Sequence, residues 1–448
     1  MPIRSRVLLP AATLVAVSTA LAFVAPVAFA KPDKKELEQL IADTDAIAAK
    51  VSTIRGLPLK KPITRGIMSR DQIEARVVQR MGEDQSDAEL AGEERAAKRF
   101  GFLPADLDYK KTLLGLLTEQ IAGFYDPAVK ELYLADWIDV ATQKIVMAHE
   151  ICHALQDQSF DLDKFTKATK DDGDQSLARS SLVEGDGVAL MIEFMFQEMG
   201  VKVDPWVDDT ITSTMAKQVT GVQPGMEAFA KAPLFLRESL MFPYLNGLKL
   251  IAFTRRHHPW SRVDDMFKSP PQSTEQVMHP EKYFAGEKPV KVKAAALPSL
   301  KKWKTVEQNT LGEAAFGWLW RQHGVRDERA NDAAAGWGGD HYAVFAPPDD
   351  DGKAVDKLLL VEYSVWDTET DATEAFDVAV EALPTWLGLA GTPAAPAAPA
   401  EKGPTFVRFE TPDGASSYVE RKGSKIVLVV GQPAAAKKLR QEIWAKWK

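Results

Sequence analysis

Cysteine is all but missing from this 448-residue chain: Cys152 stands alone. No intramolecular disulfide can therefore staple the fold. The first 30 residues contain none, which excludes lipidation at a signal-peptide cysteine. Basic charge is not in excess either. Lys and Arg number 55 against 63 Asp and Glu, a formal charge of −8, which excludes a broad surface for nucleic acid or anionic membrane. After the first 30 residues no apolar run is long enough to span a bilayer, and no internal repeat is visible. Histidine is scarce, at seven residues.

What is present suits a folded, exported protein. With 45% hydrophobic and 9% aromatic residues the chain can bury a sizeable core, and its length implies two folded units plus a targeting segment. Arg4 and Arg6, an apolar run from Val7 to Val27, and Ala28-Phe29-Ala30 read as a secretory signal cleaved after Ala30. An uncleaved anchor is the alternative reading. Cleavage removes two arginines, leaving 53 basic against 63 acidic side chains, or −10. The mature chain is expected outside the cytoplasm, periplasmic or extracellular, with no stable membrane anchor.

The pattern predicts an α+β protein: a mainly helical unit over residues 31–285 with a small sheet, then a small α+β unit over residues 286–448. Residues 35–50 carry helical spacing, and Ser69-Arg70-Asp71-Gln72 fits a capping box, so the lead-in reads as all-helical. Gly123 to Leu134 reads as a β-hairpin around Asp126-Pro127. Helices are expected over about 142–157, 177–199 and 234–257, with a polar loop from Asp163 to Gln175. Residues 285–305 read as an interdomain connection, and Gly391 to Pro404 as a solvated Ala/Pro spacer. Between these lie helices near 311–323 and 371–383 and strands near 341–345 and 357–366; after them come strands near 405–408 and 416–430 and a terminal amphipathic helix.

The segment that carries chemistry is His149-Glu150-Ile151-Cys152-His153. Residues four apart lie one above the other on a helix, so both imidazoles can converge on one ion while Glu150 reaches a metal-bound water. Apolar Val146, Met147, Ala148, Ile151, Ala154 and Leu155 would set this helix in a core. Two stacked imidazoles beside a carboxylate are costly to bury without a shared cation. A catalytic zinc site keeps three protein ligands and one open position. The metzincin pattern needs Gly at 156 and His at 159, where Gln156 and Ser159 stand. The gluzincin pattern takes a Glu from a later helix, and Glu184 in Leu182-Val183-Glu184-Gly185-Asp186-Gly187 fits, with Glu193, His257 and His258 as competitors. Gly185 and Gly187 would let that helix approach the first closely, at ~1 kcal/mol each in helix propensity. Asp186, and less so Asp157, are candidates to accept the far N–H of a liganding histidine.

Together, VMAHEICHALQDQSFDL, TEQIAGFYDP with ELYLA, SLVEGDG and PPQSTEQVMHPEKY resemble a family of exported bacterial and archaeal proteins predicted to be zincin-like metallopeptidases. The resemblance covers about residues 50–285, and more loosely GWGGDHY and VWDTETDATEAF. It implies one zinc ion per chain on His149, His153 and Glu184, with Glu150 as catalytic base. The chain departs from the pattern in carrying Cys152 where Thr is commoner, and Val188 where thermolysin-like enzymes have an acid.

The expected activity is hydrolysis of a protein or peptide substrate. Tyr244 and His279 are the candidates for stabilising the oxyanion, and the Gly123–Leu134 hairpin is the candidate edge for an extended peptide. Two further readings stand beside it: a catalytically silent scaffold of the cell envelope, and a zinc hydrolase of a non-peptide amide. Cys152 reads as a packing residue and Trp337 as the buried anchor of a turn.

Overall fold

Side-chain caps set the helix starts. Asp33, Ser69 and Ser86 each close a capping box with Glu36, Gln72 and Glu89, while Asp139 and Asp172 accept the N–H groups of Thr142 and Gln175. The computed structural model describes residues 33–219, 226–389, 398–412, 414–436 and 438–447. The expected signal segment lies outside them, as do residues 391–397 of the Ala/Pro stretch.

The architecture is α+β. Its first part is mainly helical around a three-stranded sheet of order β1-β3-β2, with β1 Thr64–Met68, β2 Gly123–Asp126 and β3 Glu131–Ala135. The hairpin forms in the expected register, Tyr125 opposite Leu132. Strand β1 pairs parallel to β3 and corrects the reading of an all-helical lead-in. Its Thr-Arg-Gly-Ile-Met sequence lacks an alternating apolar pattern, so pairing with β3 supplies what local propensity does not. The lead-in helices are Lys34–Ala42 and Thr44–Arg55. The polar loop expected at 163–175 is partly helical, over Leu162–Lys167.

Three long helices follow: Val140–Phe160, which carries the H-E-x-x-H sequence, Gly173–Glu198, which carries Glu184, and Leu234–His257. The second and third touch backbone to backbone. A Cβ on Gly185 would fall 2.2 Å from Gly247 C, and one on Gly247 would fall 2.1 Å from Ser181 O. Gly185 thus serves the Leu234–His257 helix, and not the H-E-x-x-H helix as its position suggested.

The second part holds an antiparallel sheet of seven strands, order β4-β5-β6-β10-β9-β8-β7. Its strands are β4 Lys304–Asn309, β5 Trp337–Ala346, β6 Leu359–Trp366, β7 Glu401–Lys402, β8 Phe406–Glu410, β9 Ser416–Lys422 and β10 Lys425–Gln432. Strand β4 begins inside the expected connection, and β7 inside the expected spacer. The sheet is covered on both faces. Along β6, Leu360 enters the main core while Leu359, Val361 and Tyr363 pack with Ile443 and Trp447 of the last helix, which explains its near-continuous apolar run. Trp337 is buried, at the start of a strand and not in a turn.

The main core does not stop at residue 285. It runs from Ile73 to Val430. Phe102 stacks on Phe235 at 4.2 Å, and Trp318 meets Phe235 and Phe242 edge-on. No described helix is long and apolar enough to cross a membrane.

Candidate metal centre

The Val140–Phe160 helix is buried along most of its length. Met147, Ala148, Ile151, Cys152 and Leu155 pack against Ile47 and Val51 of the lead-in. That apolar face fixes the helix rotation and turns His149 and His153 toward the Gly173–Glu198 helix. The two rings stand at 88° with centroids 4.6 Å apart. Their Nε2 atoms are 2.9 Å apart, and Glu184 Oε2 lies 3.2 Å from His149 Nε2 and 3.4 Å from His153 Nε2. Ligand atoms at ~2.0–2.1 Å from a tetrahedral zinc are roughly 3.3 Å from one another. The three atoms therefore fit around one ion. All three side chains are buried.

Each ring is held differently. A Cβ on Gly187 would sit 2.7 Å from His149 Cε1, so the missing side chain leaves the space that the ring fills. Tyr244 stacks against His149 with ring centroids 6.5 Å apart. His153 is held by a hydrogen bond: its Nδ1 lies 2.8 Å from Gln156 Oε1. Gln156 Nε2 donates to Val183 O and to Asp186 Oδ2. Both are acceptors only, so Oε1 faces His153, and Nδ1 carries the proton. In the neutral ring the lone pair then lies on His153 Nε2, facing the centre. Asp186 does not reach a histidine directly, as the sequence suggested; it acts on Gln156. Asp157 accepts the Tyr125 hydroxyl and the Leu162 N–H, and touches neither ring.

Glu150 is buried, and its Oε2 accepts the backbone N–H of Tyr125 at 2.7 Å. The β2 edge thus lies against the carboxylate. Because β2 is buried along its length, in this arrangement it presents no open edge for a peptide.

Electrostatics couples the ligands. Burial works against a charged His153, but Glu184 and Glu150 outweigh it and lift the imidazole to about 9. Burial likewise disfavours ionised Glu184, yet His153 and His149 bring it down to about 2. With nothing else between them the residues share a proton as an ion pair; a divalent cation would replace it.

Among the other sequence candidates, Tyr244 joins the site and His279 does not. The His279 ring bonds to Glu313 at 2.8 Å and approaches Glu281 at 3.7 Å. A Pro follows it and the residue caps a short helix, so its direction is set by that turn. Glu193 accepts the indole N–H groups of Trp206 and Trp260. His257 and His258 pack on Phe253 and Phe284. A second group of acids, Glu275, Glu287 and Asp367, surrounds the Lys282 ammonium and needs no metal. Sequence reading did not single out Gln156 as a partner, although its i,i+3 spacing from His153 puts it on the same face. Arg55, Tyr125 and Gly247 carried no local signal.

Residues 301–440 match DUF8575, a domain of unknown function. The DUF8575 segment takes in the seven-stranded sheet and ends within the last helix. No curated protein and no solved structure matches the chain.

Proposed function

We propose that the protein is a zinc-dependent, zincin-like metallopeptidase that acts outside the cytoplasm on protein or peptide substrates, with His149, His153 and Glu184 as ligands. The convergence of His149 Nε2, His153 Nε2 and Glu184 Oε2 within 3.4 Å carries the reading. Two imidazoles and one carboxylate are the donor set of many hydrolytic zinc sites. Zinc held there would polarise a carbonyl and lower the pKa of a bound water toward about 7.

The chain's own residues supply the rest. Glu150 follows His149 on the same helix, and the Tyr125 N–H fixes one of its oxygens, leaving the carboxylate placed to accept a proton from an attacking water and return it to the leaving nitrogen. Tyr244, beside His149, is the remaining candidate donor for the oxyanion.

The test combines metal analysis of the purified mature chain with digestion of a broad peptide library. One zinc per chain is expected in the wild type and in Glu150→Gln, with cleavage lost in Glu150→Gln by a factor of about 10²–10⁴. Glu184→Ala is expected to bind zinc more weakly. A wild type without stoichiometric zinc overturns the site; zinc with no peptide cleaved turns the reading to a scaffold or a non-peptide amidase.

A further inference from the structure

A chain of buried polar contacts leads from His153 to a helix almost a hundred residues earlier in the sequence. Gln156 Oε1 accepts from His153 Nδ1 at 2.8 Å. Gln156 Nε2 donates to Asp186 Oδ2 at 2.8 Å and to Val183 O at 3.1 Å. Asp186 is clasped by Arg55, Nε to Oδ1 at 2.6 Å and Nη2 to Oδ2 at 3.1 Å. Arg55 Nη1 lies 2.8 Å from Asp264 Oδ1, and the guanidinium covers the Trp260 ring at 4.7 Å. The Arg55 and Asp186 side chains are both without exposure.

We propose that Gln156 is a positioning residue that holds His153 as its Nδ1–H tautomer, and that Asp186 and Arg55 act through it as a brace fixing the direction of its amide. The proposal rests on reading His149, His153 and Glu184 as a zinc site. A primary amide is nearly symmetric in shape, so packing alone does not choose between its two orientations. If Gln156 were reversed, its NH2 would face His153 Nδ1, the ring proton would move to Nε2, and the lone pair needed by the metal would be lost. The reversed amide would also set its oxygen against the Asp186 carboxylate and the Val183 carbonyl. Both contacts are repulsive, so the brace favours one orientation strongly.

Arg55 makes that possible. A carboxylate with no exposure and no countercharge is costly to bury, whereas here the Arg55 guanidinium donates to both Asp186 oxygens, one of which also accepts from Gln156. Val183 directly precedes Glu184, so the same amide sets the spacing between the helices that carry the second and third ligands. His149 has no such support at Nδ1 among the described residues: that buried atom has no hydrogen-bond partner, and the ring packs against Gly187 and Tyr244. The brace is therefore specific to one ligand.

The test uses the full mature chain in three forms: wild type, Gln156→Met, and Arg55→Met with Asp186→Leu, which removes both fully buried charges of the brace together and leaves only Asp264, 24% exposed, without its partner. Zinc affinity is measured by competition with a chromophoric chelator, and the His153 tautomer by long-range ¹H–¹⁵N correlations of the zinc-loaded proteins. Wild type is expected to show His153 protonated at Nδ1. Both altered proteins should bind zinc roughly 10–100-fold more weakly, with the Nδ1–H signature lost or mixed. Wild-type affinity and an unchanged tautomer in either one overturn the brace while leaving the zinc site standing. A wild type that binds no zinc overturns both. If the double substitution prevents folding, Gln156→Met carries the test alone.

Discussion

If His153 is a zinc ligand as proposed, a proton and the metal ion compete there for the same lone pair. The carboxylates of Glu184 and Glu150 lift its imidazole to about 9 against the pull of burial. In the metal-free protein at pH 7.5 the ring is therefore an imidazolium, and zinc must displace its proton. About one proton per chain is expected on zinc binding at that pH, and the apparent affinity should rise about tenfold per pH unit until the pH reaches about 9. Calorimetry in buffers of differing ionisation enthalpy measures the proton directly; zero release would show that His153 is already neutral in the metal-free protein. The same raised pKa gives the metal-free fold a contribution to stability that is complete below the unfolded value near 6.5 and lost as pH rises through about 9. Gly187 offers a second test. Gly187→Ala places a methyl 2.7 Å from His149 Cε1, so zinc affinity should drop at least tenfold even though alanine is the better helix former. An unchanged zinc constant would show that the ring has room to move. The cluster of His149, His153 and Glu184 was legible in the sequence because i,i+4 spacing brings the histidines together and Glu184 lies on the next long helix, where Glu193 was its competitor. Gln156 figured there only as a reason to exclude a third histidine. Tyr125 and Arg55 reach the site through tertiary packing, which leaves no periodic trace.

Where the Glu184 helix crosses the Leu234–His257 helix, Gly185 and Gly247 remove the side chains that would hold the two apart. A methyl at either one meets backbone, 2.2 Å from Gly247 C or 2.1 Å from Ser181 O, and backbone cannot rotate away. Gly185→Ala and Gly247→Ala should each cost about 1–3 kcal/mol from forced separation, more than the ~1 kcal/mol that alanine returns in helix propensity. Differential scanning calorimetry of the metal-free proteins should show both melting below the wild type; an unchanged or raised midpoint would mean that the helices separate freely. The three long helices were legible from their apolar spacing to within about four residues: 142–157 and 177–199 were expected where Val140–Phe160 and Gly173–Glu198 form, and Leu234–His257 stands where it was expected. Strands were less so. β1 and β4 lie in segments without apolar alternation, and they exist because a neighbouring strand offers an edge. The expectation for Gly185 named the right property, close approach, and the wrong neighbour, because one sequence gives no helix azimuth.

The boundary read at residue 285 follows composition, whereas the core follows contact. Phe102, Phe235 and Phe242 of the first part meet Trp318 of the DUF8575 segment, directly or through Phe235, and Phe100 meets Tyr342 edge-on at 5.0 Å. Polar contacts cross the same boundary: Arg95 pairs with Asp350, and His323 Nε2 donates to Phe100 O. Phe235 and Phe242 belong to the helix that also carries Tyr244 and Gly247, so the helix that closes over His149 is itself packed against the DUF8575 segment. A chain ending at residue 285 would expose these aromatics and lose the surface that seats this helix. It is expected to bind hydrophobic dye, to unfold without a sharp transition and to hold zinc poorly, whereas the full mature chain should melt in one cooperative transition. Two resolved transitions in the full chain, together with a soluble fragment 31–285 that holds one zinc, would show the first part to be autonomous. Failure of that fragment would instead mean that the candidate metal centre depends on the DUF8575 segment for the position of Tyr244, and through Gly247 and Gly185 for that of Glu184.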